Sequence, residues 1–357
     1  MFKILDWYIG RTIISTTMLV LATFVGLSGI IKYVDQLRKV GRGAYDLIHA
    51  LFFVVLSIPR DIEMFFPMAA LLGALIALGM LASSSELVVM QSAGISKLNI
   101  GMSVLKTAVP LMIVVVILGE WGAPQAQKLA RDMRAFAISG GSIASVQSGV
   151  WARDADDFIF IGKVDDETLY GLNIWRFSEE KKLDSVIFAE KVEYQSNNHW
   201  LMHDVQITDM TNPEQLTKTK RDEMEWDTSL EPERLAVVTV KPEELSLSGL
   251  YSYVNYLKAS EQDASRYDLA FWRKITSPIS IGVMMLLALS FVFGPLRSVT
   301  MGARVLSGVI AGFAFYISSE FFGPLTLVYG IPPVFGAVMP SLAFLVVAVS
   351  LLRRKLQ

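Results

Sequence analysis

Residues 64–82 decide the fold class: Met-Phe-Phe-Pro-Met-Ala-Ala-Leu-Leu-Gly-Ala-Leu-Ile-Ala-Leu-Gly-Met-Leu-Ala, a run without a charged side chain. A helix of about 20 apolar residues spans the hydrocarbon core of a bilayer, so this run is predicted to cross a membrane. Five further stretches have the same character, at residues 12–31, 98–119, 275–293, 305–322 and 333–352. The apolar residues 47–58 are too few to span alone, and we expect them to lead into the helix of residues 64–82.

The composition agrees with a membrane protein. Of 357 residues, 53% are hydrophobic and 18% charged, and the mean hydropathy is +0.45, whereas soluble domains carry about 25% charged residues. The charge is unevenly placed, because residues 151–270 hold 25 acidic and 13 basic side chains in a chain of net charge −2. An acidic, polar segment is therefore inserted between two basic, apolar segments. This arrangement excludes a single soluble enzyme domain.

Between residues 139 and 240 the hydrophobic pattern changes to a period of two. Four stretches are predicted as half-buried strands, at residues 158–164, 169–177, 184–194 and 200–208. Short strands joined by polar turns are typical of an all-β sandwich or jelly roll. The predicted fold is thus a polytopic α-helical membrane protein with six transmembrane helices, three on each side of an inserted all-β, jelly-roll-like domain.

This order predicts three domains. Residues 1–138 hold the first three spans, residues 139–245 the β domain, and residues 246–357 a connecting helix, from about residue 245 to 260, and the last three spans. Short loops rich in lysine and arginine stay in the cytoplasm. With both termini inside, that side collects eight bases: Lys3, Arg11, Lys97, Arg297, Arg304, Arg353, Arg354 and Lys355. The acidic β domain then lies outside.

Five motifs resemble those of one known family. They are Ile31-Lys-Tyr-Val-Asp-Gln-Leu37, Phe66-Pro-Met-Ala-Ala-Leu-Leu-Gly73, Ser85-Glu-Leu-Val-Val-Met-Gln-Ser-Ala-Gly94, Phe293-Gly-Pro-Leu-Arg-Ser298 and Phe322-Gly-Pro-Leu-Thr-Leu-Val-Tyr-Gly-Ile-Pro-Pro333. With the order of spans and β domain, they make the chain similar to the LptF/LptG permeases of the lipopolysaccharide exporter. The resemblance covers essentially the whole chain and is closest to the LptG branch.

The resemblance implies a non-enzymatic permease subunit in the inner membrane of a Gram-negative bacterium. It would pair with the LptF paralogue, above two copies of the LptB ATPase and beside LptC. Together they would extract lipopolysaccharide from the outer leaflet and pass it, through a lateral gate, to the periplasmic β-jelly-roll bridge of LptA. ATP and Mg²⁺ would be bound by the ATPase, so no cofactor is expected on this chain. The sequence agrees, because it lacks a Gly-rich Lys-Ser/Thr phosphate loop. No nucleic acid is expected as a partner.

A basic cluster at the outer end of the first span is the main candidate site. Its members are Lys32, Asp35, Arg38, Lys39 and Arg42, and Arg131 and Arg134 beyond the third span could join them. One interpretation is snorkelling, in which long basic side chains reach the headgroup layer. It does not explain why the bases lie outside, against the positive-inside rule. Binding of a phosphorylated lipid would explain it, and we predict a lipopolysaccharide-binding site here.

Glu86 follows Ser83-Ser-Ser, which fits a capping box with Ser83 as N-cap and Glu86 three residues later. The segment near residues 84–97 also connects the second and third spans on the cytoplasmic side. The resemblance implies that it is the coupling helix that docks on the ATPase. Both interpretations of Glu86 can hold together, because a capped helix is rigid.

Two further patterns are weaker. Small residues recur every fourth position, at Ala69, Gly73 and Ala77 and again at Gly308 and Gly312. They predict close helix packing, either static and intramolecular or along a face between permeases that slides when the gate opens. His199 and His203 share one strand face, but two histidines without a third ligand are weak grounds for zinc, and no metal site is predicted.

Two other function classes remain open from the residues. A membrane-embedded transferase acting on lipid headgroups would need acid–base or nucleophilic groups near the interface. The spans offer only Asp61 and Glu63 beside Arg60. A sensor or assembly protein would use the β domain to bind a partner, and would not need a cytoplasmic coupling segment.

Overall fold

The structure is a computed structural model that describes residues 4–139, 150–154, 157–165, 168–178, 182–196, 199–211, 216–228, 241–259, 262–294 and 299–353. Its helices are α1 Ile4–Leu37, α2 Leu47–Ser83, α3 Glu86–Ser92, α4 Lys97–Ile117, α5 Ala123–Ser139, α6 Leu247–Ala259, α7 Ser265–Phe293, α8 Met301–Val328 and α9 Pro333–Arg353. A π-helical turn, Leu118–Gly122, joins α4 to α5. Six helices within the described ranges are long and apolar enough to cross a membrane. The prediction of six spans is confirmed.

Helix α2 begins at an N-cap and continues through two prolines. The Asp46 side chain accepts hydrogen bonds from the backbone N–H groups of Ile48 and His49, which satisfies donors that a helix start leaves free. Pro59 and Pro67 lie inside the helix without ending it. Residues 47–58 are therefore the first part of the second span, as expected.

Small residues let the other spans approach α2 closely. At Gly73, the backbone oxygen accepts a 2.8 Å hydrogen bond from Thr16 Oγ1 of α1, and an added Cβ would lie 2.5 Å from Thr17 Cα. On α8, a Cβ at Gly308 would lie 2.6 Å from Leu75 of α2. The predicted small faces of α2 and α8 thus pack inside this chain. Their role in a sliding gate stays a prediction.

The middle of the chain forms an antiparallel sheet. Its strands are β1 Val150–Asp154, β2 Asp157–Asp165, β3 Thr168–Phe177, β4 Leu183–Ser196, β5 His199–Asp209 and β6 Thr217–Asp227, and they pair in chain order. One face carries a separate core that includes Ile161, Leu172, Ile187 and Trp200. The four predicted strands correspond to β2–β5, and the open antiparallel sheet is consistent with a jelly-roll-like domain.

Strand β6 was not predicted because its sequence, Thr-Lys-Thr-Lys-Arg-Asp-Glu-Met-Glu-Trp-Asp, hides the period of two. Only Met224 and Trp226 face the core among its residues, and the others are exposed. Charged side chains on an edge strand discourage pairing with another sheet. After β6 the chain returns to the membrane through α6, where Tyr256 packs against the core of the sheet.

Candidate functional site

The loop between α1 and α2 docks on the end of α5, and this brings the basic residues of two spans together. The Ala44 N–H donates a 2.7 Å hydrogen bond to the Ala137 oxygen. Gly43 has a φ of +57°, and a Cβ there would lie 2.3 Å from the Ile138 oxygen. Glycine is therefore required at this position for two reasons, the left-handed backbone conformation and the close contact with the Ile138 oxygen. The adjoining Tyr45 is buried.

Three cations meet at this junction. Burial, and the positive charges of Arg134 and Arg42, hold the pKa of Lys39 below its ordinary value, although Asp35 opposes the effect. The Arg134 guanidinium lies 4.6 Å from the centre of the Phe53 ring, at cation–π distance. The structure therefore brings Lys39, Arg42 and Arg134 together in one patch where positive charge is in excess, which we call the basic mouth.

Two other predicted members are engaged elsewhere. Lys32 pairs with Asp61 of α2, whose side chain is 5% exposed and also accepts a 3.1 Å hydrogen bond from Ser28. Arg131 forms a 3.1 Å ion pair with Glu244 that lacks hydrogen-bond alignment. Asp35 and Arg38 are exposed at the end of α1. Lys32 thus fixes α1 to α2, whereas Arg38 is accessible to a ligand.

The segment that returns from the β domain, residues 242–248, is held by four charged side chains from different parts of the bundle. Sequence reasoning did not identify this anchor, because its partners are mostly backbone atoms. Arg60 of α2 donates a hydrogen bond to the backbone carbonyl oxygen of Glu243 at 2.8 Å. Lys274 of α7 donates to the backbone carbonyl oxygen of Leu245 at 2.5 Å.

Arg131 of α5 and Glu120 complete the anchor. Glu120 lies in the π-helical turn and accepts hydrogen bonds from the Leu247 N–H at 2.8 Å and from Ser248 Oγ at 2.6 Å. A carboxylate at the start of a helix satisfies free N–H groups and interacts favourably with the helix dipole. Glu120 is thus a capping acid at the start of α6. We call residues 242–248 and these four side chains the return clamp.

At the opposite end of the bundle, Glu86 is not part of a capping box. Helix α2 continues to Ser83, and α3 begins at Glu86 after Ser85, which has a φ of +62° and makes no side-chain cap. The prediction of Ser83 as N-cap is wrong, because Ser83 still belongs to α2 and the chain turns between the two helices at Ser84 and Ser85. Glu86 instead accepts hydrogen bonds from Tyr8 Oη at 2.8 Å and Ser84 Oγ at 2.9 Å.

Helix α3 has one buried and one exposed side. Leu87 is buried in the helical core, and Met90 packs against it. Val88 and Val89 are 60% and 64% exposed, so two apolar side chains point away from the bundle. A short helix anchored on one side with an apolar outer face is suited to docking.

The two histidines of β5 lie against acids on neighbouring strands. His199 contacts Asp227, and His203 lies 3.7 Å from Glu193 and 3.5 Å from Glu223. Within the described residues, no group of three or more His, Cys, Asp or Glu side chains could hold a metal ion. The bases Lys3, Arg297, Arg354 and Lys355, used to predict the orientation, lie outside the described residues.

Known proteins resemble this chain over nearly all of its length. Residues 7–354 match the family described as lipopolysaccharide export system permease LptF/LptG. The lipopolysaccharide export system permease protein LptG of Escherichia coli K12 is 51% identical over 356 residues, covering 99% of each chain. The LptG protein of Haemophilus influenzae is 50% identical over 357 residues, again 99% of each. This chain therefore belongs to the LptF/LptG family of permeases.

Proposed function

We propose that this protein is a permease subunit of a lipopolysaccharide exporter in the inner membrane of a Gram-negative bacterium. The observation that supports this most strongly is the identity of about half of all positions with proteins named LptG, over 99% of both chains. A fold with three spans on either side of a β domain agrees with the proposal. The cargo is an amphipathic glycolipid that is extracted from the outer leaflet.

The proposed orientation places both termini in the cytoplasm and the β domain in the periplasm. The basic mouth then lies at the outer surface, where clustered cations match the phosphates of a glycolipid. In this orientation the β domain lies on the periplasmic side of the basic mouth, and the return clamp attaches it to the helical bundle. Its sheet would receive the lipid or pass it towards a periplasmic LptA bridge.

Energy comes from a partner in this proposal. The described part of the chain offers α3 as a docking element, with Leu87 as its anchor and Val88 and Val89 exposed. An LptB ATPase dimer would bind ATP and Mg²⁺ and act on α3, with Glu86 as the coupling residue. The weakly buried faces of α1 and α8 suit the paralogue LptF, LptC and the lipid path between them.

Charge reversal at the basic mouth tests the proposal. Arg42→Glu in the basic mouth is combined with Arg38→Glu, an exposed base of the same predicted cluster. This pair is preferable to a change at Lys32, because Lys32 also holds Asp61. Each base near a membrane surface contributes about 1 kcal/mol to anion attraction, which is roughly five-fold in binding. We expect photocrosslinking to lipopolysaccharide, normalised to inserted protein, to fall by more than ten-fold in the assembled complex.

The control reverses two bases on β6, Lys218→Glu with Lys220→Glu, where both side chains are exposed. These changes alter the net charge equally but lie away from the mouth, and crosslinking should be retained. If the mouth variant inserts normally and captures as much lipopolysaccharide as the wild type, the proposed substrate entrance is wrong.

A further inference from the structure

A second candidate site lies at the opposite end of the bundle from the basic mouth. A crevice of about 290 Å³ opens between α4 and α9, with α7 as its floor. Met102 and Leu105 come from α4, Leu289 and Phe293 from α7, and Leu352 from α9. These side chains make a hydrocarbon surface at membrane depth.

The polar groups in the crevice are nearly all satisfied internally. Ser290 Oγ donates to the Ala348 oxygen at 2.9 Å and to the Leu286 oxygen at 2.7 Å. Gly101 and Gly294 contribute only backbone. An occupant of the interior therefore needs no hydrogen-bonding groups, and a hydrocarbon chain satisfies this requirement.

The opening of the crevice is positively charged. Lys97, the first residue of α4, lines it, and among the described residues no group forms a hydrogen bond or ion pair with the Lys97 side chain. Arg353 follows the lining residue Leu352 and is exposed. Positive charge beside an apolar crevice matches an acyl chain with an anionic headgroup.

We infer that this crevice binds one acyl chain of an anionic phospholipid, with the headgroup phosphate on Lys97. A volume of about 290 Å³ lies at the lower limit of about 300–1,000 Å³ for small-molecule pockets, so it accommodates a single chain rather than a whole lipid. Under the orientation proposed above, this lipid belongs to the cytoplasmic leaflet, and it is distinct from the glycolipid cargo at the outer end.

The location links the bound lipid to α3. The chain turns from α3 through Gly94, at a φ of +89°, to Ser96, whose side chain caps α4 by accepting from the Asn99 N–H. Lys97 is the next residue. A phosphate bound there would fix the start of α4 and, through this short turn, the position of the coupling helix.

Photocrosslinking of the assembled complex in nanodiscs tests the inference. The probe is phosphatidylglycerol with a diazirine on its acyl chain, and peptide mapping locates the adducts. We expect adducts on the α4 and α7 residues of the crevice that excess unlabelled phosphatidylglycerol removes and phosphatidylcholine does not. Lys97→Gln should lower labelling by about five-fold, and Leu105→Trp, which fills the crevice, should lower it further.

Two matched variants serve as controls. Val109→Trp places the same bulk one turn further along α4, on a side chain that is 53% exposed and does not line the crevice. Arg11→Gln removes an exposed base from α1. Both should keep wild-type labelling. Equal competition by the two lipids, or labelling unchanged by Leu105→Trp, would overturn the inference, as would adducts formed only with a partner subunit. The lipid competition uses wild-type protein, so it decides the question even if a variant fails to fold.

Discussion

The positive charge of Lys39 lowers the stability of the folded protein but favours the binding of an anion. Its partial burial, and then the repulsion from Arg134 and Arg42, lower the pKa of Lys39. A lowered pKa means that the charged form is disfavoured in the folded protein. A phosphate at the basic mouth would remove this repulsion, which is the property expected of a residue kept for anion binding.

Replacing Lys39 by glutamine should therefore stabilise the protein and weaken substrate capture. At neutral pH the wild type has the full electrostatic penalty, because its folded state binds a proton less readily than its unfolded state. This penalty is lost as the pH rises from the lowered pKa towards the ordinary lysine value. We expect Lys39→Gln to melt higher near neutral pH, with an advantage that shrinks in alkali.

Thermal unfolding of the purified complex, together with lipopolysaccharide crosslinking, measures both effects. Lys218→Gln, on the exposed edge strand, is the control and should change neither. A lower melting temperature for Lys39→Gln would show that Lys39 is a structural residue.

Glu86 presents a different residue-scale question, since it holds α3 to α1 through Tyr8. Glu86→Ala removes both the charge and the hydrogen bonds, whereas Tyr8→Phe removes one bond and keeps the charge. A hydrogen bond to a charged group is stronger than one between neutral groups, but exposure to solvent weakens it. We expect Glu86→Ala to reduce lipid export in proteoliposomes several-fold more than basal ATP hydrolysis, with a milder effect for Tyr8→Phe. Unchanged export in Glu86→Ala would contradict a coupling role.

At the scale of elements, the crossing of α1 over α2 depends on Gly73. An alanine Cβ there would lie within 2.7 Å of the Thr17 nitrogen and Cα, and backbone cannot move aside as a flexible side chain can. Overpacking of this kind costs about 1–3 kcal/mol. We expect Gly73→Ala to lower the melting temperature and the yield of monodisperse protein.

Gly26 supplies the matched control on α1, because a Cβ there meets nothing within 4 Å. Gly26→Ala should leave stability unchanged or slightly raised, since alanine favours the helix. Equal behaviour of the two variants would mean that α1 and α2 separate at this crossing in the working protein.

The spans and strands β2–β5 could be predicted because their hydrophobic periods are long and regular. Strand β6 could not, since an edge strand buries few side chains and its charges conceal the period. The capping box failed for a local reason: Ser83 to Glu86 satisfies the spacing of the motif, but α2 continues through Ser83, and α3 begins only at Glu86.

The candidate site was predicted only in part. Clustered bases at one end of a span could be read from the sequence, but their partners come from distant segments. Asp61 engages Lys32 and Glu244 engages Arg131, and no local pattern reveals such pairs. The return clamp was missed because Arg60 and Lys274 bind backbone oxygens, which every residue type supplies.

At the scale of the whole molecule, α2 connects the two ends of the bundle that carry the candidate sites. It carries Arg60 and Asp61 near the basic mouth and Ser83 beside α3, and its 37 residues give a helix of about 55 Å at 1.5 Å per residue. A tilt of α2 driven from α3 would therefore move Arg60 and, with it, the return clamp. The clamp holds the segment that leaves the β domain, so we expect movement of the spans to reach the β domain through it.

Weakening the return clamp should then uncouple the β domain from movements of the spans. Glu120→Gln keeps the size of the side chain but removes the charge that holds the start of α6. We expect the amides of Leu247 and Ser248 to exchange hydrogen faster by about ten-fold, because a hydrogen bond to a charged group contributes about 1.5 kcal/mol or more. Lipid export should fall while basal ATP hydrolysis persists.

Glu320→Gln is the appropriate comparison, since Glu320 pairs with Arg273 at 3.6 Å, and among the described residues no hydrogen bond or ion pair joins it to the return segment. It should leave exchange at Leu247 unchanged and export nearly intact. The two readouts separate structure from coupling in Glu120→Gln. Faster exchange with undiminished export would show that the clamp holds the β domain without transmitting force. Unchanged exchange would mean that Arg60, Arg131 and Lys274 hold the segment without Glu120.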